Sequence, residues 1–247
     1  MTWLRRFDPK EAARGAVDAA RRAVGERLVS ATLYGSAAGD EFDRRSSDVN
    51  VAFVFAALGP AELEALKSAY RRWVRLRVAR HLLLSRETLA RSTDTFPLEY
   101  LLIQNHHETL HGEDLFAGVA IDRRALRTAV ERVLRTQELG LITSYLALAN
   151  SPAGARHWAR RASTAIGASA SGLLYLMGEP IPAKKGELAE RCGARLGMEV
   201  SLLSLLLAHG AGRRVPIEAA KLLELAQTFL TRLIDAAERL DGPTATP

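Results

Sequence analysis

Asp48 and Asn50 stand two residues apart at the head of the apolar run "DVNVAFVFA", and a Gly35-Ser36 pair precedes them across eleven residues. A strand points residues i and i+2 to the same face, so Asp48 and Asn50 would present two oxygen-bearing side chains together while Val49 and Val51 face a core. A Gly-Ser turn lets backbone approach a ligand closely, and if "SAAGDE" opens a helical turn its free N–H groups suit a phosphate, with the Ser36 hydroxyl as a further donor. The combination points to a metal-and-phosphate site. Its unusual member is Asn50, which offers an oxygen but no charge, whereas Mg²⁺ sites normally draw on one or two carboxylates together with substrate phosphates.

The elements that must position these residues are readable from local pattern. "DPKEAARGAVDAARRAVGERL" carries small apolar residues at helical spacing behind Asp8-Pro9, an N-cap followed by a proline suited to the first turn. "LVSATLY" and "VNVAFVFA" read as two strands joined by the polar loop that holds the motif, and "GPAELEALKSAYRRW" as a helix packed on them. "RLRVARHLLLS" predicts a third strand, "SRETLARS" a short helical turn begun by Ser85, and "PLEYLLIQ" a fourth strand opened by Pro97. "ETLHGEDLF" carries a turn signal. From residue 122 onward long helical patterns replace strands, with Gly/Pro breaks at 178–186 and 210–216, which predicts a bundle.

Composition bounds the function class. The chain has 247 residues, 48% of them hydrophobic, enough to bury a real core. One cysteine, Cys192, excludes a disulfide framework within the chain and a multi-cysteine zinc site. No signal-like opening and no apolar run long enough to span a bilayer is present, so a cytoplasmic protein without membrane contact is expected. The formal charge of +6 is concentrated in residues 121–247, with 17 Lys/Arg against 12 Asp/Glu, and fits a solvated helical surface.

Gly35-Ser36, the gap, and Asp48-Val49-Asn50-Val51 together resemble the signature of the DNA polymerase β-like nucleotidyltransferase superfamily, which includes minimal nucleotidyltransferases and aminoglycoside adenylyltransferases. The resemblance implies an α+β protein. A nucleotidyltransferase-like αβ domain with a small mixed sheet would span residues 1–119, and a helical bundle domain residues 120–247. It implies transfer of an NMP unit from an NTP to a hydroxyl of a small molecule or macromolecule with Mg²⁺. Gly35 and Ser36 would hold phosphate, Arg44 and Arg45 the triphosphate, and Asp48 and Asn50 the metal. The family takes a third carboxylate from a later strand. Glu99, at the start of the strand expected at "PLEYLLIQ", is assigned there as metal ligand or general base, ahead of Glu87 and Asp94.

Asn50 departs from the acidic pattern of that family. One metal plus the nucleotide's phosphates could suffice, a carboxylate of the loop (Asp40, Glu41 or Asp43) could compensate, or the site has become a binding site. The last alternative is a catalytically degenerate protein of this fold, serving as a nucleotide-binding, regulatory or antitoxin-type partner through its helical half. Three further features read as structural. "NHHETLHG" brings His106, His107 and His111 together without metal-ligand spacing, Cys192 reads as a packed thiol, and the small residues of "ASTAIGASASGLL" read as close helix packing.

Overall fold

The computed structural model describes residues 7–39, 42, 47–148, 152–182, 184–201, 203, 204, 207 and 219–240. They divide into two compact units, one within Met1–Asp94 and Glu99–Ala120, the other within Thr95–Leu98 and Ile121–Pro247.

In the first unit, helix α1 (Pro9–Val24) starts where its capping signals lie: Asp8 is extended, and its carboxylate accepts from the backbone N–H of Lys10 at 2.8 Å and of Glu11 at 3.3 Å. Strands β1 (Leu28–Tyr34), β2 (Val49–Phe55), β3 (Val78–Ser85) and β4 (His107–Gly112) form one sheet in the order β3-β2-β1-β4. β1 runs antiparallel to β2 and β4, while β2 and β3 are parallel and are joined through helix α2 (Pro60–Arg75). Alternation sends Ala31 and Leu33 of β1 and Val49, Val51, Phe53 and Phe55 of β2 to one face. They pack there with Ala12, Ala13, Ala16 and Ala20 of α1 and with Leu66, Ala69 and Trp73 of α2. The short side chains of α1 let that helix lie close to α2, so that the Trp73 indole N–H reaches the Ala16 carbonyl at 2.9 Å.

The third strand begins later than its sequence pattern predicts, because α2 continues to Arg75 and a turn follows in which Arg77 adopts φ 59°. Ser85 then caps the short helix α3 (Arg86–Arg91), its hydroxyl accepting from the Thr88 N–H at 2.9 Å.

Two expectations are overturned. The segment expected as a strand is helix α4 (Pro97–Asn105). Leu98, Tyr100, Leu101 and Ile103 are all buried, so apolar residues surround the helix; such a run carries no period by which strand and helix could be told apart. Conversely "HETLHG", read as part of a turn, is the edge strand β4, half-buried along most of its length and held by pairing with β1. Its Glu108 binds Lys10 at 2.6 Å and Arg14 at 3.5 Å on α1.

The second unit is helical: α5 (Arg123–Leu148), α6 (Pro152–Leu176), α7 (Lys185–Leu196) and α8 (Ala219–Arg239). α5 packs on α6 and α8, and α7 packs on α6 and α8. Asp122 caps α5 by accepting from the Ala125 N–H at 2.7 Å, and Arg123 donates to the Tyr175 and Leu176 carbonyls at the end of α6, where a cation is favoured. Ala162, Ser163, Ser169 and Ala170 are buried in this packing. Cys192 is also buried, and burial pushes its thiol up to about 12, which leaves it an inert packing residue. The helical pattern that precedes the break at 210–216 lies partly outside the described residues. Among the described residues no helix is long and apolar enough to cross a membrane.

Candidate nucleotide site

β1 delivers Gly35 at its end, and β2 returns antiparallel beside it, which brings Tyr34 opposite Asn50. Gly35 has φ 72°, a conformation costly for any residue with a side chain, and it opens a single tight turn over Gly35–Ala37, closed by the Ala38 N–H on the Gly35 carbonyl at 3.0 Å. The Gly35 N–H donates to the His106 carbonyl at 3.2 Å, tying the turn to the junction between α4 and β4. A Cβ at Gly35 would also lie 3.1 Å from the Asn50 side-chain nitrogen, so glycine is required both by the backbone and by the amide beside it.

Asp48 is half-buried immediately before β2. Val49 and Val51 lie in the core against α1 and α2, so Asn50 projects from the opposite face of the sheet. Its Oδ1 is buried and has no hydrogen-bond partner. An unpaired buried acceptor costs on the order of 1–3 kcal/mol unless something satisfies it, and a hydrated cation or a ligand donor would do so.

Asp48 and Asn50 suit one Mg²⁺ that arrives with a triphosphate; they do not suit a pair of ions, which needs bridging carboxylates. The flanking strands supply none: β1 reads LVSATLY and β3 VARHLLLS, with Arg80 paired to Asn50 in the backbone register. On β4 the one acid, Glu108, faces α1 and is engaged there. Glu99, expected at the head of a strand, sits instead in the first turn of α4 and is exposed. Glu87, on α3, pairs with Arg91 at 3.0 Å. Arg44 and Arg45, like Asp40, Glu41 and Asp43, lie outside the described residues. Among the described residues no three His, Cys, Asp or Glu side chains gather to hold an ion.

A polar pair that the sequence did not suggest lies at the start of β4, where His107 pairs with Tyr34. His107 Nδ1 lies 3.1 Å from the Gln104 carbonyl and its Nε2 3.0 Å from Asp114 Oδ2, and Asp114 also accepts from the Ala117 N–H at 3.0 Å. Burial works against the Asp114 carboxylate, but the hydrogen bonds from His107 and Ala117 outweigh it and hold the carboxyl below the usual range. A lowered folded-state value stabilises the fold above the unfolded value of about 4, and that contribution is lost as pH falls through the folded value. The stability difference between wild type and Asp114→Asn, followed by urea denaturation, is therefore expected to be full at pH 6 and to shrink steadily as pH falls below about 4. A difference that stays constant from pH 6 to pH 2 would contradict the assignment.

A Gly-Ser turn at the end of one strand, a polar pair at the head of its antiparallel neighbour, a four-stranded mixed sheet and a helical C-terminal part define a nucleotidyltransferase-like fold. Among solved structures, the crystal structure of spectinomycin adenyltransferase AAD(9) from Enterococcus faecialis with ATP and spectinomycin matches with a TM-score of 0.62. The sequence identity is 10%, and the match covers 91% of this chain and 98% of that one. At that identity the likeness establishes the fold. No family model and no curated protein matches the chain.

Proposed function

We propose that this chain is a nucleotidyltransferase-like protein that binds a nucleoside triphosphate with one Mg²⁺, and that its capacity for nucleotidyl transfer is lost. The reading is carried by one observation: neither strand flanking Asn50 bears an acid, so the motif offers a single described carboxylate, Asp48. Gly35 and Ser36 hold phosphate at the turn, while Asp48 and the orphaned Asn50 oxygen face the cation. When bound, Mg²⁺ neutralises phosphate charge. With one carboxylate, nothing described remains to take the proton from an attacking hydroxyl. The fold match over nearly the whole chain favours a second reading, transfer of AMP to a hydroxyl of a small acceptor such as spectinomycin, the ligand of the matched enzyme.

Calorimetry with each of the four NTPs and pyrophosphate release with Mg²⁺ or Mn²⁺, with and without spectinomycin, separate the two. Binding without pyrophosphate supports the proposal. Pyrophosphate that disappears in Asp48→Ala establishes the second reading, and no binding of any NTP at millimolar concentration removes both.

A further inference from the structure

The three histidines of residues 106–111 have different fates. His107 is held by Gln104 and Asp114, and His111 Nε2 lies 3.3 Å from the Leu28 carbonyl. The half-buried His106 ring has no hydrogen-bond partner among the described residues, although its backbone is fixed: its N–H donates to the Ile103 carbonyl and its carbonyl accepts from Gly35, each at 3.2 Å. The ring lies against Gly39, two residues beyond the Gly35–Ala37 turn. A Cβ built on Gly39 would come within 2.2 Å of His106 Nε2, 3.0 Å of Cδ2 and 3.1 Å of Cε1. The backbone of Gly39 is not left-handed, so the imidazole, not the main chain, excludes a side chain there.

We propose that His106 is a phosphate-binding residue of this site, its Nε2 supplying a side-chain donor next to the Ser36 hydroxyl, and that polyphosphate is the chemical class the two together select. The proposal rests on the reading of Gly35–Ser36 as a phosphate turn. The Gly35 N–H holds the His106 carbonyl and the His106 ring rests on Gly39, so both lie at the segment that carries Ser36, and neither the Ser36 nor the His106 side chain hydrogen-bonds another described residue. Two donors beside backbone N–H groups offer a linear polyphosphate more than one point of attachment. A hydrogen bond from imidazole to phosphate is charge-assisted and roughly twice as strong as a neutral one.

The test is calorimetry of ATP and of inorganic tripolyphosphate on the full chain, wild type against His106→Ala, His106→Gln, Gly39→Ala and the Gly39→Ala/His106→Ala double variant. The thermal midpoint of each unliganded protein is recorded alongside. His106→Ala is expected to weaken both ligands about tenfold with the midpoint unchanged. His106→Gln, which keeps a donor, recovers part of that loss. Gly39→Ala, whose methyl group displaces the ring, weakens binding as His106→Ala does, and the double variant is no weaker than His106→Ala alone, since both changes remove one interaction. Wild type that binds ATP while His106→Ala binds it equally well overturns this inference and leaves nucleotide binding standing. A loss of affinity matched by a fallen midpoint and unrelieved by glutamine makes His106 a packing residue and also overturns it. Wild type that binds neither ligand overturns the inference and the nucleotide site together.

Discussion

Asn50→Asp tightens Mn²⁺ binding in the presence of ATP by about tenfold and releases no pyrophosphate, whereas Asp48→Ala weakens the same binding by about a hundredfold. Asparagine and aspartate have nearly the same size, so the first change adds a negative charge with little change of shape. The buried Asn50 oxygen has no partner, so the new carboxylate meets no hydrogen bond that it must break. Metal affinity at oxygen sites follows ligand charge, which sets the direction. Turnover does not follow, because no acid lies on either strand beside Asn50. Asp48→Ala removes the motif's described carboxylate, and its cost lies at the upper end of the roughly 10–100-fold typical of losing a partner that merely orients a metal ligand. Calorimetric Mn²⁺ titrations at saturating ATP, paired with pyrophosphate assays, decide the matter. Pyrophosphate release by Asn50→Asp would mean that the missing charge alone had silenced the site.

Trp73→Ala destabilises the first unit by about 3–5 kcal/mol, the largest stability effect expected from a single side chain here. Trp73 is fully buried and stacks on Phe53 with ring centroids 4.6 Å apart and planes 12° from parallel; Tyr70 meets it edge-on at 6.3 Å. Its indole N–H joins α2 to the Ala16 carbonyl of α1, so truncation empties the space where both helices meet the sheet and removes a bond between them. Trp73→Phe keeps an aromatic ring against Phe53 but loses the donor, and costs roughly 1–2 kcal/mol. Urea denaturation followed by circular dichroism measures both. A Trp73→Ala midpoint indistinguishable from wild type would show that the α1–α2 contact does not hold this unit together.

Much of the protein is legible in short stretches of chain. Asp8-Pro9 and the alanine spacing behind it specify α1, Ser85 caps α3, and alternation with β-branched and aromatic residues marks β2, because each signal acts between residues a few positions apart. The Gly35–Ala37 turn and the strand that follows Asp48 belong to the same category, since positive φ and side-chain alternation are local demands.

The features that fell to tertiary structure depend on partners far away in sequence. "PLEYLLIQN" is a helix because packing buries it on several sides, and that removes the one-sided period by which a helix is recognised. "HETLHG" becomes a strand by pairing with β1, and its pairing decides that Glu108 turns to Lys10 and Arg14, away from the Asn50 face. The register of β3 decides that Arg80 is the neighbour Asn50 receives. The chain by itself determined the motif residues, the αβ-then-helical order and the loss of charge at Asn50. Only the folded arrangement decided which side chains share that face and that His106 rests on Gly39, because cross-strand register and burial are set by which distant segments pack together.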